Sequence, residues 1–179
     1  MNIFAMPCIN DSLISMKLSD LHFTPENHFV AMEYYGLILN RTFLILLVEN
    51  NFIGILANGL ISAKNYSDPL TAFVTDRLAV SGDIHDPYSY LKNSYLMKME
   101  GVNLLTDDLT EIRRANFRYP IREISGVTYD ARKKWGMGIY PHDGRIYMKL
   151  GDKRREFIIP GNQSGQAIAD RIKSRISSL

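Results

Sequence analysis

Cysteine is nearly absent from this chain of 179 residues, in which Cys8 is the single example. One cysteine cannot form an internal disulfide, and without a group of cysteines the chain has no thiolate set for a structural zinc ion. No histidine or basic residue adjoins Cys8 in the sequence to activate its thiol. These absences favour a reducing compartment, and we expect a cytoplasmic protein.

The chain also lacks a long hydrophobic run. Residues 1–7 are apolar but contain no basic residue, and polar residues follow at positions 10–12, so we predict no signal peptide. The most apolar region, residues 34–63, is interrupted by Arg41 and Glu49, and its longest strongly apolar run covers only residues 42–48. A helix needs ~20 apolar residues to span a bilayer. We therefore predict no transmembrane segment.

No pattern of side chains defines a reaction. The residues that could together bind a metal are Asp83, His85 and Asp86, with His22 and His28 from elsewhere. Their spacing matches no metal motif, and Asp86 is better explained as a helix cap. The remaining close carboxylates are more simply explained by a helix start or by solvent than by acid–base chemistry, namely Asp107, Asp108, Glu111 and Asp130. We expect no metal, no cofactor and no enzymatic activity.

Charge is distributed unevenly. The formal net charge is only +2, yet residues 1–112 hold 6 Lys/Arg against 13 Asp/Glu, whereas residues 113–179 hold 15 against 6. Two interpretations remain open. The halves attract each other within one fold, or the second half presents a basic face to an anionic partner.

The first half predicts strands followed by helices. Residues 36–57 are typical of a β-hairpin with both strands largely buried, turning at 49–51 where asparagine tolerates positive φ. A buried helix is the alternative, because the runs are continuously apolar. Helix is predicted from Asp86, a good N-cap followed by a proline, with apolar residues at helical spacing to Val102. Thr106 and Asp107 could cap a second short helix.

The second half predicts strands closed by one helix. Residues 117–121 alternate, Pro120 is expected at a strand edge or end, and a bulge or turn is expected near Glu123. Residues 135–140 and 145–150 are predicted to pair across a turn at 142–144, and a turn at 151–152 leads into strand 153–159. Asn162 or Ser164 could cap the final helix. Its apolar stripe consists of Ile168, Ile172, Ile176 and Leu179.

The segments FRYPIREISGV and GRIYMKLGDKRREFIIPG, the lone Trp135 and the closing QAIADRIKSRI carry a family resemblance. Together they resemble the second half of a bacterial pleckstrin-homology-like (PH-like) domain. The resemblance implies an α+β fold in which a half-open antiparallel β-barrel is capped by a C-terminal helix. Residues 1–179 would form one domain, with 1–30 as an N-terminal extension and 86–115 as helices inserted between the strands.

The resemblance also bears on lipid binding. Eukaryotic lipid-binding members carry a basic Lys-x-Arg-type motif in their first hairpin. The hairpin predicted here turns at Glu49, Asn50 and Asn51 instead. This difference argues against phosphoinositide binding by the familiar mode.

The candidate binding residues are two basic triplets that adjacent hairpins could bring together: Arg132, Lys133 and Lys134, and Lys153, Arg154 and Arg155. A solvated turn is the simpler explanation of each triplet. If functional, they predict a non-enzymatic module that engages an acidic protein surface or an anionic headgroup. The alternative is a small-molecule-binding protein or enzyme whose pocket is hidden in the linear pattern. No nucleic-acid-binding signature is present, and nothing predicts the oligomeric state.

Overall fold

A computed structural model describes residues 15–36, 39–61, 83–134, 137 and 140–179. Cys8 and Trp135 lie outside them. Seven antiparallel strands form one curled sheet, a half-barrel, in the order β4-β3-β2-β1-β7-β6-β5. The strands are β1 (His28–Gly36), β2 (Leu39–Val48), β3 (Asn51–Ile61), β4 (Phe117–Pro120), β5 (Ile124–Asp130), β6 (His142–Leu150) and β7 (Lys153–Pro160). The architecture is therefore α+β and barrel-like.

The inner face of the half-barrel is aromatic and aliphatic. One core cluster contains Phe29, Phe43, Phe52, Phe117 and Phe157, together with apolar residues of β5 and β6. The C-terminal helix, Gly165–Ser177, adds its buried face to the same cluster. The prediction of a closing helix is confirmed.

The apolar stripe of that helix is shorter than predicted. Ile168 and Ile172 are buried and Ile176 packs partly against the core, but Leu179 is 62% exposed. The helix ends at Ser177, so Leu179 lies beyond its last turn. Of the two predicted caps, Ser164 is the N-cap, and its hydroxyl accepts a hydrogen bond from Ala167 N.

Strands β2 and β3 are buried on both faces, which explains their continuously apolar sequence. Alternate residues of β2 such as Phe43 and Ile45 face the inner core, while Leu44 and Leu46 belong to a second cluster on the outer face. The predicted hairpin is confirmed, but Glu49 and not an asparagine adopts positive φ, at 48°. The hairpin has two residues between its strands.

The outer face of β2 and β3 is covered by short turns. The predicted helices from residue 86 are only partly right, because residues 86–115 form 3-10 turns and single helical turns in place of long helices. The Lys92 N–H donates to Ala57 O of β3. Gly101, at φ 78°, adopts a left-handed conformation that a helix cannot continue through. Asp86 caps the first turn as predicted, whereas Asp108, and not Thr106 or Asp107, caps the last. The elements are 3-10 turns Pro87–Tyr90 and Met97–Met99, α1 (Asn93–Leu96) and α2 (Leu109–Ile112), and the C-terminal helix is α3.

The predicted turn at residues 142–144 is wrong. These residues begin β6, where His142 pairs with Pro160, and the register then shifts before Arg145 pairs with Ile158. Gly144 has φ 63°, and a Cβ at this position would lie 2.3 Å from Asp130 O, so the glycine marks a bulge beside β5. Tyr140, which was predicted to be in a strand, lies outside one.

Other sequence predictions near β4 are confirmed. Pro120 ends the edge strand β4, and a 3-10 turn at Ile121–Glu123 produces the expected change of phase before β5. The turn at Gly151 into β7 is also present. Among the described residues, no helix is both long and apolar enough to cross a bilayer.

Strand β1 is the main element that the sequence interpretation missed. It begins at His28, inside the segment assigned to an N-terminal extension, and pairs with β2 from His28↔Leu46 to Gly36↔Leu39. The first hairpin of the sheet is therefore β1–β2, and the turn at Glu49 belongs to the second. Arg41 thus lies just after the first hairpin turn.

The seam between β1 and β7 joins the two parts of the sheet, β1–β4 and β5–β7, with little backbone pairing. Its only ladder pair is Met32↔Ile158 among the residues described. Beyond that pair, the Gln163 side-chain amide accepts from Val30 N (2.9 Å) and donates to Val30 O (2.8 Å). Gln163 also donates to Pro160 O at 3.0 Å. The Gln163 side chain thus makes the hydrogen bonds with the Val30 backbone that a neighbouring strand would otherwise make.

Candidate functional site

A basic cleft of about 940 Å³ opens where β1 ends and β2 begins. Strands β1, β2, β4 and β7 and the segment 110–116 line it. Its cations are Arg41, Arg113, Arg114, Arg118, Lys153, Arg154 and Arg155, its carboxylate is Glu33, and its aromatic rings are Tyr35, Phe117 and Tyr119. Seven cations against one carboxylate in a concave, partly apolar surface concentrate a positive potential. We call this surface the basic cleft.

Arg155 lies inside the basic cleft and is held in place by its neighbours. Its Nε and Nη2 donate to the two carboxylate oxygens of Glu33 at 2.7 and 2.9 Å, and both side chains are 14% exposed. Its guanidinium carbon lies 3.7 Å from the centroid of the Phe117 ring. Arg155 faces inward because it lies two residues before Phe157, an inner-core residue, and every second residue of a strand points to the same face. The bidentate pair and the cation–π contact together hold the guanidinium plane.

Arg41 extends this cluster from β2. Its Nη2 lies 3.6 Å from the same Glu33 carboxylate, and its guanidinium stacks 4.3 Å from the Tyr35 ring centroid. The Nε atoms of Arg41 and Arg113 are both buried without a hydrogen-bond partner. A buried N–H donor without a partner is costly, so the fold bears this cost at both arginines.

The remaining cations of the cleft differ in whether internal contacts already hold their side chains. Arg118 is committed to the fold, since its Nη1 donates to Leu104 O and Asp107 O at 3.0 and 2.9 Å. Arg114, Lys153 and Arg154 are exposed, and their side chains form no ion pair or hydrogen bond with any residue that the structure describes. Three solvated cations at the rim can therefore attract an anion without first breaking an internal contact.

The first basic triplet lies at a different cleft, on the outer side of β6. Arg132, Lys133 and Lys134 line a second concavity of about 620 Å³ together with Tyr34, Arg145 and Tyr147. The structure thus brings Lys153, Arg154 and Arg155 into the basic cleft but places the other triplet elsewhere. Whether either triplet binds a partner remains a prediction.

Carboxylates neutralise much of the second cleft. Arg132 and Arg145 approach the Asp130 carboxylate at 2.9 and 2.8 Å, and Lys134 Nζ lies 2.8 Å from Glu156. Hydrogen bonds from Arg132 hold the pKa of Asp130 well below its usual value, and the positive charges of Arg132 and Arg145 act in the same direction. These pairs are all within the basic half of the chain. Among the six triplet residues, only Arg155 forms an ion pair with a described residue of the acidic first half, through Glu33.

The sequence analysis did not identify four of the cations that line the basic cleft, namely Arg41, Arg113, Arg114 and Arg118. The available signal was weak. Arg113 and Arg114 form a doublet where the chain turns from acidic to basic, and Arg41 is the one cation within the apolar hairpin. Their proximity to Lys153 depends on the curl of the sheet, which brings β4 and β7 to one mouth.

The residues considered for a metal site do not form one. Within the described ranges, no group of three or more His, Cys, Asp or Glu side chains could hold a metal ion. Asp83 Oδ1 accepts from His85 N at 2.9 Å, and the Asp86 side chain caps the following turn. His22 is exposed in another segment. These side chains organise a turn.

His28 lies in an apolar groove of about 490 Å³ on the outer face. Its Nδ1 is 2.6 Å from Thr24 O, and its Nε2 is 2.5 Å from the Tyr88 hydroxyl. This geometry suits a neutral ring that donates from Nδ1 and accepts at Nε2. Burial lowers the pKa of His28, and burial together with the charge of Asp86 raises the pKa of Tyr88. The polar groups of this groove are therefore already paired with each other.

Comparison of the chain with protein-family models, with curated proteins and with solved structures finds no match. Function must therefore be argued from the geometry of the basic cleft itself.

Proposed function

We propose that this protein is a non-enzymatic binding module whose basic cleft binds a compact, multiply phosphorylated ligand. Phosphate is the shared chemistry, whether it belongs to a lipid headgroup or to a soluble molecule. The observation that carries the proposal is the set of seven cations and one carboxylate around one concavity. Guanidinium groups match phosphate geometry and bind it through short, charge-assisted hydrogen bonds.

The shape of the cleft favours a compact anion over an acidic protein surface. Arg155 lies inside the mouth with 14% of its side chain exposed, and Arg41 is 27% exposed. A flat protein surface would reach only the rim cations Arg114, Lys153 and Arg154. A small ligand of high charge density can enter and contact both the rim and the enclosed arginines.

The fold is consistent with the PH-like resemblance. The meandering strand order and the C-terminal helix packed on the inner core are what the resemblance implies. A first hairpin that turned at Glu49 would disfavour phosphoinositide binding by the familiar mode. With β1 present, the first hairpin is β1–β2, and Arg41 follows its turn. We accordingly propose a PH-like domain that acts in the cytoplasm, where the single cysteine would stay reduced.

Reversing the rim charges tests the proposal. Tripolyphosphate is titrated into the wild type and into Lys153→Glu/Arg154→Glu at ionic strength of about 0.1 M, where a Debye length of about 10 Å screens charges that lie outside the basic cleft. We expect the reversed variant to bind about tenfold or more weakly, because two attractive charges become repulsive. The matched control is Arg132→Glu/Lys133→Glu, which reverses two charges at the second cleft and should leave the affinity within about twofold.

Vesicles then distinguish the source of the phosphate. Binding to vesicles with a phosphorylated inositol lipid, but not to phosphatidylserine vesicles of equal charge, indicates a headgroup. Binding of tripolyphosphate without vesicle association indicates a soluble ligand. The proposal is wrong if the wild type binds neither probe, or if only an acidic polypeptide such as polyglutamate binds and the Lys153→Glu/Arg154→Glu variant binds it equally.

A further inference from the structure

The basic cleft contains its own anion. Glu33 is the one carboxylate among the described residues that line it, and the Glu33 side chain is 14% exposed. Both of its oxygens accept from Arg155, and one also lies 3.6 Å from Arg41 Nη2. In the geometry of its contacts, a carboxylate held by two arginines resembles a bound phosphate.

This placement has a clear reason in the free protein. Arg41 and Arg155 approach the same point on the inner face, where Arg155 rests on Phe117 and is largely shielded from water. Without a counter-ion, two shielded cations would repel each other and each would lack hydrogen-bond acceptors. Glu33 supplies the negative charge and the acceptors that water cannot fully supply there.

The same placement opposes a ligand. An anion that enters the cleft meets the negative charge of Glu33, and it competes with Glu33 for the N–H groups of Arg155. The Arg155 Nη1 group is not used by Glu33. It is the Arg155 donor left for an anionic group that binds alongside the carboxylate.

We infer that Glu33 is a resident counter-ion that stabilises the empty cleft and lowers its affinity for phosphate. The inference rests on the proposed function and names the residue that limits it. Glu33 is a positioning residue in this scheme, because it acts on the ligand through Arg155 and Arg41. Its removal should change stability and affinity in opposite directions, which a merely structural residue would not do.

The test is Glu33→Gln, a nearly isosteric change that removes the charge and retains one oxygen to accept from Arg155. Thermal unfolding without ligand and tripolyphosphate titration are measured on the same preparation. We expect a lower melting temperature in the absence of ligand and an affinity about tenfold higher, since one repulsive charge beside the ligand is lost. Added tripolyphosphate should therefore raise the melting temperature more in Glu33→Gln than in the wild type. The control is Glu100→Gln, which removes an exposed carboxylate outside the cleft and should change neither quantity.

The outcomes separate this inference from the proposed function. If the wild type binds tripolyphosphate, Lys153→Glu/Arg154→Glu weakens it, and Glu33→Gln binds equally or more weakly, the proposed function stands and the counter-ion inference is wrong. If Glu33→Gln binds tripolyphosphate and the wild type does not, the proposed function is wrong for the wild-type protein, and the inference is supported in the stronger form that Glu33 blocks the cleft outright. If neither protein binds, both are wrong. A second variant, Glu33→Asp, keeps the charge on a shorter side chain, and its affinity should stay close to that of the wild type.

Discussion

Gln163 closes the seam between β1 and β7, and replacing it by alanine should be far more costly than its position near the surface suggests. Its amide satisfies both backbone groups of Val30, a residue with 0% exposure, and also donates to Pro160 O. Gln163→Ala leaves the Val30 N–H and C=O without these partners. A buried polar group without a partner costs about 1–3 kcal/mol, so two of them predict a loss of about 2–6 kcal/mol in the free energy of unfolding.

Urea unfolding at constant temperature measures this loss. Gln166→Ala is the matched control, because Gln166 is exposed on α3 and bonds only to the exposed Asp170. Exposed substitutions of this kind change stability by about 0.5 kcal/mol or less. Gln163→Glu should also destabilise the protein, because a carboxylate can accept from Val30 N but cannot donate to Val30 O or Pro160 O. Equal stability of Gln163→Ala and Gln166→Ala would refute the reasoning.

Two further predictions concern the helix and the buried histidine. Ile172→Ala on α3 should lower the free energy of unfolding by about 2–5 kcal/mol, because Ile172 is 1% exposed and its loss leaves a cavity. Leu179→Ala, at an exposed position, should change it by about 0.5 kcal/mol or less, and a similar loss at both positions would contradict the packing of α3. His28 has a pKa lowered by burial, so its contribution to stability is complete above the unfolded pKa of about 6.5 and is lost as pH falls towards its folded pKa. Unfolding measured near pH 7.5 and near pH 5.5 should therefore show a smaller pH dependence in His28→Gln than in the wild type. His22→Gln, at an exposed position, should keep the wild-type dependence, and a wild-type dependence in both variants would contradict the prediction.

Local patterns predicted those elements whose signals are local. The hairpin around Glu49, the edge position of Pro120, the helix cap at Ser164 and the turn at Gly151 each follow from a few adjacent residues. The turn predicted at residues 142–144 was wrong because a glycine with positive φ, such as Gly144, suits a turn and a bulge equally well. Only the pairing with β7 distinguishes the two.

The basic cleft was only partly predictable. Lys153, Arg154 and Arg155 are visible as a triplet, but the cleft also needs residues from β2 and β4 that are distant in sequence. The two triplets look alike in sequence but differ in how far carboxylates neutralise them. Asp130 and Glu156 pair with Arg132 and Lys134 of the first triplet. Charge counting along a chain cannot distinguish a paired cation from a solvated one, because the partner is set by strand register.

The seam between β1 and β7 also bears on how the chain folds. The β2–β3 and β6–β7 hairpins join neighbours in sequence, whereas Met32↔Ile158 joins opposite ends of the chain. Closing so long a loop is slow and comes after local pairing, so β1 and β7 have unpaired edges until late in folding. Interactions formed after the rate-limiting step act mainly on the unfolding rate. We therefore expect Gln163 and the Arg155–Glu33 pair to act mainly on the unfolding rate. They determine how long the folded half-barrel persists more than how quickly it forms.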